Sequence, residues 1–527
     1  MRTATPHHDN WVLLTGATGF VGAALAHELL LRDRRVLCLV RAETPAAARE
    51  RISRSLQPWT KDVERLLEVG RLAVIRGDLH HPTAGVTDAV RTALRGRIRS
   101  LIHAAGSTRF TATATGEPAR TNVDGTRQVL ALADNLDCRD WHLISTAYVA
   151  GAQRLAVESI SDSPPPFHND YEHSKWTMEC LAQDAACPSN ASLTIYRPSV
   201  VVGHSQTGQA TRFVGIYYLF RATAMLARAA EQRPDVDRHS LSLRIAARSD
   251  ARPNLICIDD VAALFGELFE RNDARGGVYH LTHHEPPTNA CIRNALEAFY
   301  DVAGGRFDDE TLHHLNADSK SAPPIDDFQG LFDDMTKQVQ DYLFDAPKFD
   351  RKQVSRLVNR VPAAWTDERL LRMIEAAESA GWRSADEDRT ENSDSNEFAA
   401  YFQGHLASHI AGSSLGAARQ IDVAVRFIIG RRPQGQWWCK FRDGRLEAVE
   451  PGGDRPADVT YRTSTARFWA AVAGEITGAE LFLSGEAQIE GDIERALKFA
   501  AMLEEFVREH PYARRCPVDK ATCTETS

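Results

Sequence analysis

The chain has 527 residues, of which 43% are hydrophobic and 25% charged, and a formal net charge of −9. That length suggests two to four domains, and the acidic balance leaves no electrostatic footprint for nucleic acid. Nine cysteines without a C-x-x-C pair predict free thiols and no metal site, and the lack of a secretory signal or a long apolar run predicts a cytoplasmic protein with no membrane span.

The first element is a short apolar run, Trp11-Val12-Leu13-Leu14, followed at once by Gly16, Gly19 and Gly22 and then by a helical stretch from Ala23 to Leu30. A strand, a glycine-rich turn and a helix in that order let backbone approach a pyrophosphate whose charge the helix N-terminus stabilises. The spacing is G-x-x-G-x-x-G, which fits the general dinucleotide template only loosely; an ordinary tight turn is the alternative. A second strand, Arg35 to Val40, ends at Arg41. An arginine there suits the 2′-phosphate of NADP, where an acidic residue would suit the ribose of NAD. Arg49 and Arg51 can help bind that phosphate, although they read more simply as part of a solvated helix.

Three further apolar runs precede polar or glycine-rich ends: Leu72–Ile75 before Gly77-Asp78-Leu79, Leu101–His103 before Ala104-Ala105-Gly106, and Trp141–Ile144 before Ser145-Thr146. Strands separated by helical patterns predict a doubly wound parallel α/β sheet of the Rossmann type, with ligands at the strand ends. Asp78 and Leu79 are expected to flank the adenine, and Ala105 and Gly106 the nicotinamide ribose. The paired histidines His7-His8 and His80-His81 read as solvated.

Thr146 lies 25 positions before Tyr171, in the stretch Tyr171-Glu172-His173-Ser174-Lys175. Residues i and i+4 share a helix face, so phenol and ammonium can enter one site, and the ammonium is expected to lower the tyrosine pKa. Ser145 is a near rival to Thr146, but alternation along a strand lets only one of them face the cofactor. Further on, Phe213 to Phe220 with Met225, Leu226 and Ala227 are apolar at helical spacing, either lining a substrate pocket or simply buried.

Residues 1–382 resemble an extended short-chain dehydrogenase/reductase, and within it the fatty acyl-CoA reductases and the thioester reductase domains of carboxylic acid reductases and peptide synthetases. The resemblance rests on Thr15 to Gly22, Cys38 to Arg41, Gly77-Asp78-Leu79, His103-Ala104-Ala105 and Asn122-Val123-Asp124-Gly125-Thr126. It continues through Ser145 to Val149, Tyr171-x-x-Ser174-Lys175-Trp176-x-x-Glu179, Tyr196 to Gly203 and Ile256 to Val261. Trp176 and Glu179 separate this branch from the sugar epimerases, and Tyr342-Leu343 with Pro347 to Asp350 adds a likeness to the acyl-CoA reductases. The resemblance implies NADP(H) as cofactor and a substrate subdomain contributed mainly by residues 204–382. It puts Gly16, Thr18, Gly19, Phe20, Val21, Gly22, Arg41, Asp78, Leu79, Ala104, Ala105, Gly106, Lys175, Pro198, Val200 and Val201 in the cofactor site. It makes Tyr171 the general acid, Lys175 the ligand of the nicotinamide ribose, and Thr146 the hydrogen-bond partner of the substrate carbonyl. Hydride transfer to an acyl thioester would then give an aldehyde, and a second transfer an alcohol.

Residues 383–396 are polar and acidic and read as a solvated linker. Beyond it Ile421, Val423, Val425 and Phe427 alternate as in a half-buried strand, and Asp443-Gly444 marks a hairpin between Gln436–Phe441 and Leu446–Val449. Helical stretches follow around Ala466 to Ala473 and Ile493 to Val507, predicting a separate α+β domain over residues 397–510 and a tail over 511–527, where Cys516 and Cys523 read as free thiols. Phe441 to Gly444, Ala457 to Tyr461, Gly474, Glu480-Leu481-Phe482 and Ser484 to Asp492 resemble the sterol carrier protein 2 lipid-binding fold. That resemblance implies an apolar tunnel, although Trp437, Trp438, Phe468, Trp469 and Phe482 can equally be core. The leading expectation is an NADPH-dependent acyl thioester reductase with a lipid-handling domain. Its substrate would be an acyl thioester or other lipophilic small molecule, with an acyl carrier protein in trans as a candidate donor, since no adenylation or carrier domain precedes the reductase. A reductase of free sterol-like ketones, or a lipid carrier with a cofactor-sensing domain, are the alternatives.

Overall fold

In the computed structural model of the chain, the described residues are 10–512 apart from 114, 234–235, 242, 308–326, 345–346, 383–394, 411–420, 431–432, 444, 453–454 and 484–485. His7, His8, Gly444, Ser484, Gly485, Cys516, Cys523 and most of the expected linker lie outside them; Ser395 and Asn396, expected in the linker, instead open a helix, Ser395–Ala399. Two compact units emerge, the first made of residues 1–220, 238–329 and 336–381, the second of 221–237, 330–335 and 382–527. Two short pieces of the region expected to be wholly reductase thus group with the second unit.

The first unit is built on a seven-stranded sheet. Its strands β1 (Trp11–Thr15), β2 (Arg35–Val40), β3 (Leu72–Arg76), β4 (Ile98–His103) and β5 (Asp140–Ile144) are joined by Ser192–Pro198 and Val278–Leu281. Every pairing is parallel, and in space the order runs from Val278–Leu281 through Ser192–Pro198, β5, β4, β1 and β2 to β3. Such strands are buried on both faces, which explains why they read as unbroken apolar runs rather than alternating ones. Helices α1 (Phe20–Leu31) and α2 (Pro45–Leu56), with Ile258–Phe269, bury Ala24, Leu25, Leu29, Ile52 and Phe265 against one face. Gly125–Asn135 and Asp170–Ala186 bury Val129, Leu132, Met178 and Ala182 against the other. Because β1 pairs with both β2 and β4, the chain reverses direction across the sheet at the end of β1. Ligands of doubly wound sheets bind at that point.

The helix Asp170–Ala186 is pinned to the sheet by a buried bidentate pair, Arg197 Nε to Glu179 Oε1 at 2.9 Å and Arg197 Nη2 to Glu179 Oε2 at 2.6 Å. The apolar stretch beyond residue 212 begins in this unit with Phe213, Tyr217 and Phe220, all buried, and the Tyr217 hydroxyl accepts from Gly203 N at 2.9 Å. His80 is not the solvated side chain expected: it is largely buried, with Nε2 3.2 Å from Thr121 Oγ1.

In the second unit a five-stranded sheet runs Arg445–Pro451, Gln436–Arg442, Val423–Ile429, Val459–Thr463, Ala487–Gly491, with Val423–Ile429 parallel to Val459–Thr463 and the other pairs antiparallel. The predicted hairpin is present: Arg442 pairs with Arg445, and Asp443 takes the left-handed conformation, φ 48°. Strand alternation sends Val423, Val425 and Phe427 inward. They meet Phe402 of the opening helix and Phe499 and Phe506 of the closing helix, Ile493–Glu509. Trp437, Phe468 and Trp469 belong to the same core, whereas Trp438 alternates away from it and lies under Arg455, 5.0 Å from ring centroid to guanidinium carbon.

Candidate active site

The turn after β1 is shaped by close approach. Gly16 has φ 74°, and a Cβ there would lie 2.5 Å from Ala105 N, so only glycine lets β1 and β4 end side by side. Gly19 caps α1 without any side-chain hydrogen bond, and Gly22 packs in the first turn under Gly16 O. Helix α1 thus begins at Phe20 without a side-chain cap, and the first N–H groups of a helix have no intrahelical partner, which suits a pyrophosphate. Thr18 joins this turn to α2 through its carbonyl, 3.5 Å from Ser55 Oγ.

Behind the turn lies a chain of buried polar groups. Thr126 gives its hydroxyl hydrogen to Asn122 O at 2.5 Å, so it accepts from His103 Nε2 at 3.0 Å, leaving His103 Nδ1 to accept from Thr15 Oγ1 at 2.7 Å. Burial and the Lys175 charge push the His103 imidazole down to about 3, which keeps it neutral in this role. Thr15 Oγ1 in turn accepts from Ala105 N at 3.3 Å, and Ala104 N donates to Thr15 O at 3.3 Å.

Arg41 is exposed at the end of β2, and Arg51 donates from its guanidinium to the Arg41 carbonyl. Arg76 pairs with Val40 across the sheet, so three arginines gather at one strand edge. Asp78 and Leu79 sit at the end of β3, where Asp78 N donates to Ala84 O at 2.7 Å and Asp78 Oδ1 accepts from His80 N at 3.1 Å.

Thr146, Tyr171 and Lys175 come together beyond β5. The Thr146 hydroxyl reaches Pro198 O at 3.5 Å, accepts from Tyr148 N at 3.3 Å and sits near enough to the Tyr171 phenol to oppose the rise in its pKa. Ser145 N donates to Tyr196 O at 2.8 Å, and its buried hydroxyl makes no hydrogen bond among the described residues. Lys175 is 5% exposed and donates to Ile144 O at 2.9 Å; burial pushes its ammonium down to about 8, opposed by Glu179. Gly106 lies beside it, since a Cβ on Gly106 would be 3.5 Å from Lys175 Nζ. Val200 and Val201 continue the strand end after Pro198, paired with Leu255 and Ile256. The expected depression of the tyrosine pKa is overturned. Burial pushes the Tyr171 phenol up to about 12, the Thr146 hydrogen bond and Arg212 acting against it and Glu172 adding to it. Desolvation of the phenolate outweighs the neighbouring cation, which is directed at Ile144.

Several residues take up structural roles that the sequence does not specify. Asn122 sits in a π-helical turn, Arg120–Asp124, and its side chain binds Ser107 N at 2.7 Å, Ser107 O at 2.9 Å and Ser174 Oγ at 2.8 Å. Ser174 Oγ donates to Tyr171 O at 2.8 Å, so this asparagine ties the loop after β4 to the helix that carries tyrosine and lysine. No pattern in the sequence singles out Glu172, and Tyr342 figures there only in the likeness to acyl-CoA reductases. Among the described residues no group of three or more His, Cys, Asp or Glu is arranged to hold a metal, and no helix is long and apolar enough to cross a membrane.

Residues 14–243 match the male sterility protein family and residues 410–504 the SCP-2 sterol transfer family. Among curated proteins the chain is 34% identical over 218 residues to an isonitrile lipopeptide synthase of Streptomyces coeruleorubidus, covering 40% of this chain and 14% of that one. It is 28% identical over 242 residues to a linear gramicidin synthase of Brevibacillus parabrevis, covering 44% of this chain but 5% of that one. The match thus spans only a small part of either relative. Among solved structures, the terminal R domain of the myxalamid PKS-NRPS pathway aligns with TM-score 0.56 and 26% identity, over 71% of this chain and 92% of that one. The reductase domain of a Mycobacterium tuberculosis non-ribosomal peptide synthetase shares the fold, with TM-score 0.51 and 18% identity over 71% of this chain and 93% of that one. The chain therefore carries a male sterility-type region over residues 14–243 and an SCP-2 region over residues 410–504.

Proposed function

We propose that the chain is an NADPH-dependent reductase of acyl thioesters, the acyl group being lipophilic and held by a carrier protein or by coenzyme A. The observation that carries this reading is the convergence of Thr146, Tyr171 and Lys175 beside the strand ends that carry the glycine-rich turn. Likeness to a lipopeptide synthase and to an R domain favours carrier-bound thioesters over free ketones. The arginines Arg41, Arg51 and Arg76 favour a 2′-phosphate and hence NADPH over NADH.

When bound, the cofactor supplies the hydride. Thr146 holds the thioester carbonyl oxygen, and Tyr171 Oη gives its proton to that oxygen as the carbonyl carbon is reduced. The resulting thiohemiacetal loses its thiol to leave an aldehyde. Lys175 holds the nicotinamide ribose and supplies positive charge near the phenol. A phenol that is up at about 12 keeps its proton at neutral pH, which suits an acid in the reducing direction. The C-terminal unit is read as a lipid-binding module on the strength of its family match.

The test is purified full-length chain with NADPH or NADH and octanoyl-CoA, an octanoyl-loaded carrier protein, octanal or a sterol ketone. Cofactor oxidation with a thioester, faster with NADPH, supports the reading. Turnover of the ketone or aldehyde with none of either thioester rejects it.

A further inference from the structure

One residue beyond Tyr171, the Glu172 carboxylate is fully buried at 0% exposure. A buried carboxylate persists as a charge only where hydrogen bonds replace water, and here each oxygen has donors. Oε1 accepts from the Tyr342 hydroxyl at 2.6 Å and lies 3.2 Å from His168 Nδ1. Oε2 accepts from His168 N at 2.9 Å and lies 3.1 Å from the same Nδ1. Asn169 closes the circuit. Its Oδ1 caps the helix by accepting from Glu172 N at 3.1 Å, while its Nδ2 donates to Tyr342 Oη at 2.7 Å.

Tyr342 arrives on a short helix, Gln340–Phe344, 170 positions away in sequence. Its ring stands edge-on to Tyr148, centroids 4.8 Å apart, two residues from Thr146. It also lies 5.7 Å from Phe110, whose ring is 6.1 Å from Tyr171. The Phe110 loop is in turn fastened to the start of the helix by Asp170 N to Phe110 O at 2.9 Å and Ala112 N to Asp170 Oδ2 at 2.7 Å. Tyr342 thus touches the elements that carry both Thr146 and Tyr171.

We propose that Glu172 is a positioning residue for Tyr171, held by Tyr342, His168 and Asn169, and that it keeps Tyr171 a proton donor committed to reduction. A carboxylate beside a phenol disfavours the phenolate. The titratable groups facing Glu172 are His168 from the preceding loop, Tyr342 from its short helix, Tyr148 after β5 and Tyr171 itself. Those acting on Tyr171 are Glu172 and Arg212, with Lys175 one turn on. The neighbouring Glu172 side chain, which raises the Tyr171 pKa, therefore favours a phenol that gives a proton to a carbonyl over a phenolate that takes one from an alcohol. This inference rests on the reductase reading for its purpose, but the placement of the charge can be tested without turnover.

The experiment places 3,5-difluorotyrosine at position 171 alone in the full-length chain, where ring fluorination brings the phenol into a pH range the fold tolerates, and follows its fluorine NMR signal. Glu172→Gln should lower the titration midpoint by about half a pH unit or more. An unchanged or raised midpoint overturns the proposal. Tyr342→Phe, which keeps every ring contact, should lower kcat for octanal about tenfold, the value of one lost hydrogen bond, with KM for NADPH unchanged. An unaltered kcat overturns the part assigned to Tyr342 and is decisive even if the Glu172 variant fails to fold. A wild-type chain that reduces neither octanal nor either octanoyl thioester, on coenzyme A or on a carrier protein, refutes the reductase reading, while the fluorine titration still decides the placement of Glu172.

Discussion

The two units solve the problem of a specific interior in opposite ways. Around the helix Asp170–Ala186 the first unit buries Glu172, Lys175, Glu179, Arg197, His103 and Asn122, each held by directional hydrogen bonds. The second unit is organised by rings. Phe402 stacks on Trp437 at 4.9 Å and on Phe468 at 5.6 Å, and Phe499 packs on Phe441 at 4.9 Å and Tyr461 at 5.8 Å. Hydrogen bonds fix an atom's position and penalise any unpaired partner, whereas dispersion contacts tolerate a change of shape at nearly constant volume. The difference teaches where chemistry can be done: a proton donor needs the first kind of surroundings, and a compartment for a flexible chain can use the second.

Mutations can break or sharpen this contrast. The largest effect should come from Tyr171→Phe, which removes the donor and leaves the ring; kcat should fall by about 10²–10⁴ with NADPH binding retained, read by cofactor fluorescence. Phe402→Ala in the ring core should cost about 4 kcal/mol of unfolding free energy, measured by denaturant titration of tryptophan fluorescence, while Phe402→Leu costs far less. A comparable loss from both would erase the distinction. Lys175→Met tests the polar side. Because the folded lysine is down at about 8, the unfolded chain binds the extra proton between there and the ordinary lysine range, so stability rises with pH across that window. At neutral pH the buried ammonium is a burden, and Lys175→Met should stabilise the fold by on the order of 2 kcal/mol, an advantage that fades as pH rises through about 8 to 10. Loss of stability at pH 7 would show that the ammonium is a net support. The smallest effect should be Arg41→Ala, raising KM for NADPH about tenfold with KM for NADH nearly unchanged.

Much of the site was legible because it depends on local pattern. Gly16, Gly19 and Gly22 after Trp11–Leu14, and tyrosine and lysine four apart on a helix, are short-range signals. Strand alternation says only that one of Ser145 and Thr146 can face the cofactor; in the structure the Thr146 hydroxyl reaches Pro198 O and Tyr148 N, while the buried Ser145 hydroxyl makes no hydrogen bond among the described residues. That the Arg51 guanidinium reaches back ten residues to the Arg41 carbonyl is a contact that helix periodicity does not announce. The direction of the tyrosine pKa shift escapes it for a similar reason: neighbours along the chain count charges, but burial decides how much the phenolate costs.

By itself the sequence determined the parallel order of β and α elements, the turn that meets a dinucleotide, the tyrosine and lysine on one face and the hairpin at Asp443. All of these follow from backbone preference and hydrophobic period, which act over a few residues. Only the tertiary structure decided that Tyr342 would cap Glu172 from 170 positions away, that Asn122 would fasten Ser107 to Ser174, and that Tyr171 would hold its proton rather than lose it. Those outcomes depend on desolvation and on hydrogen bonds between distant segments, and neither exists until the chain has folded.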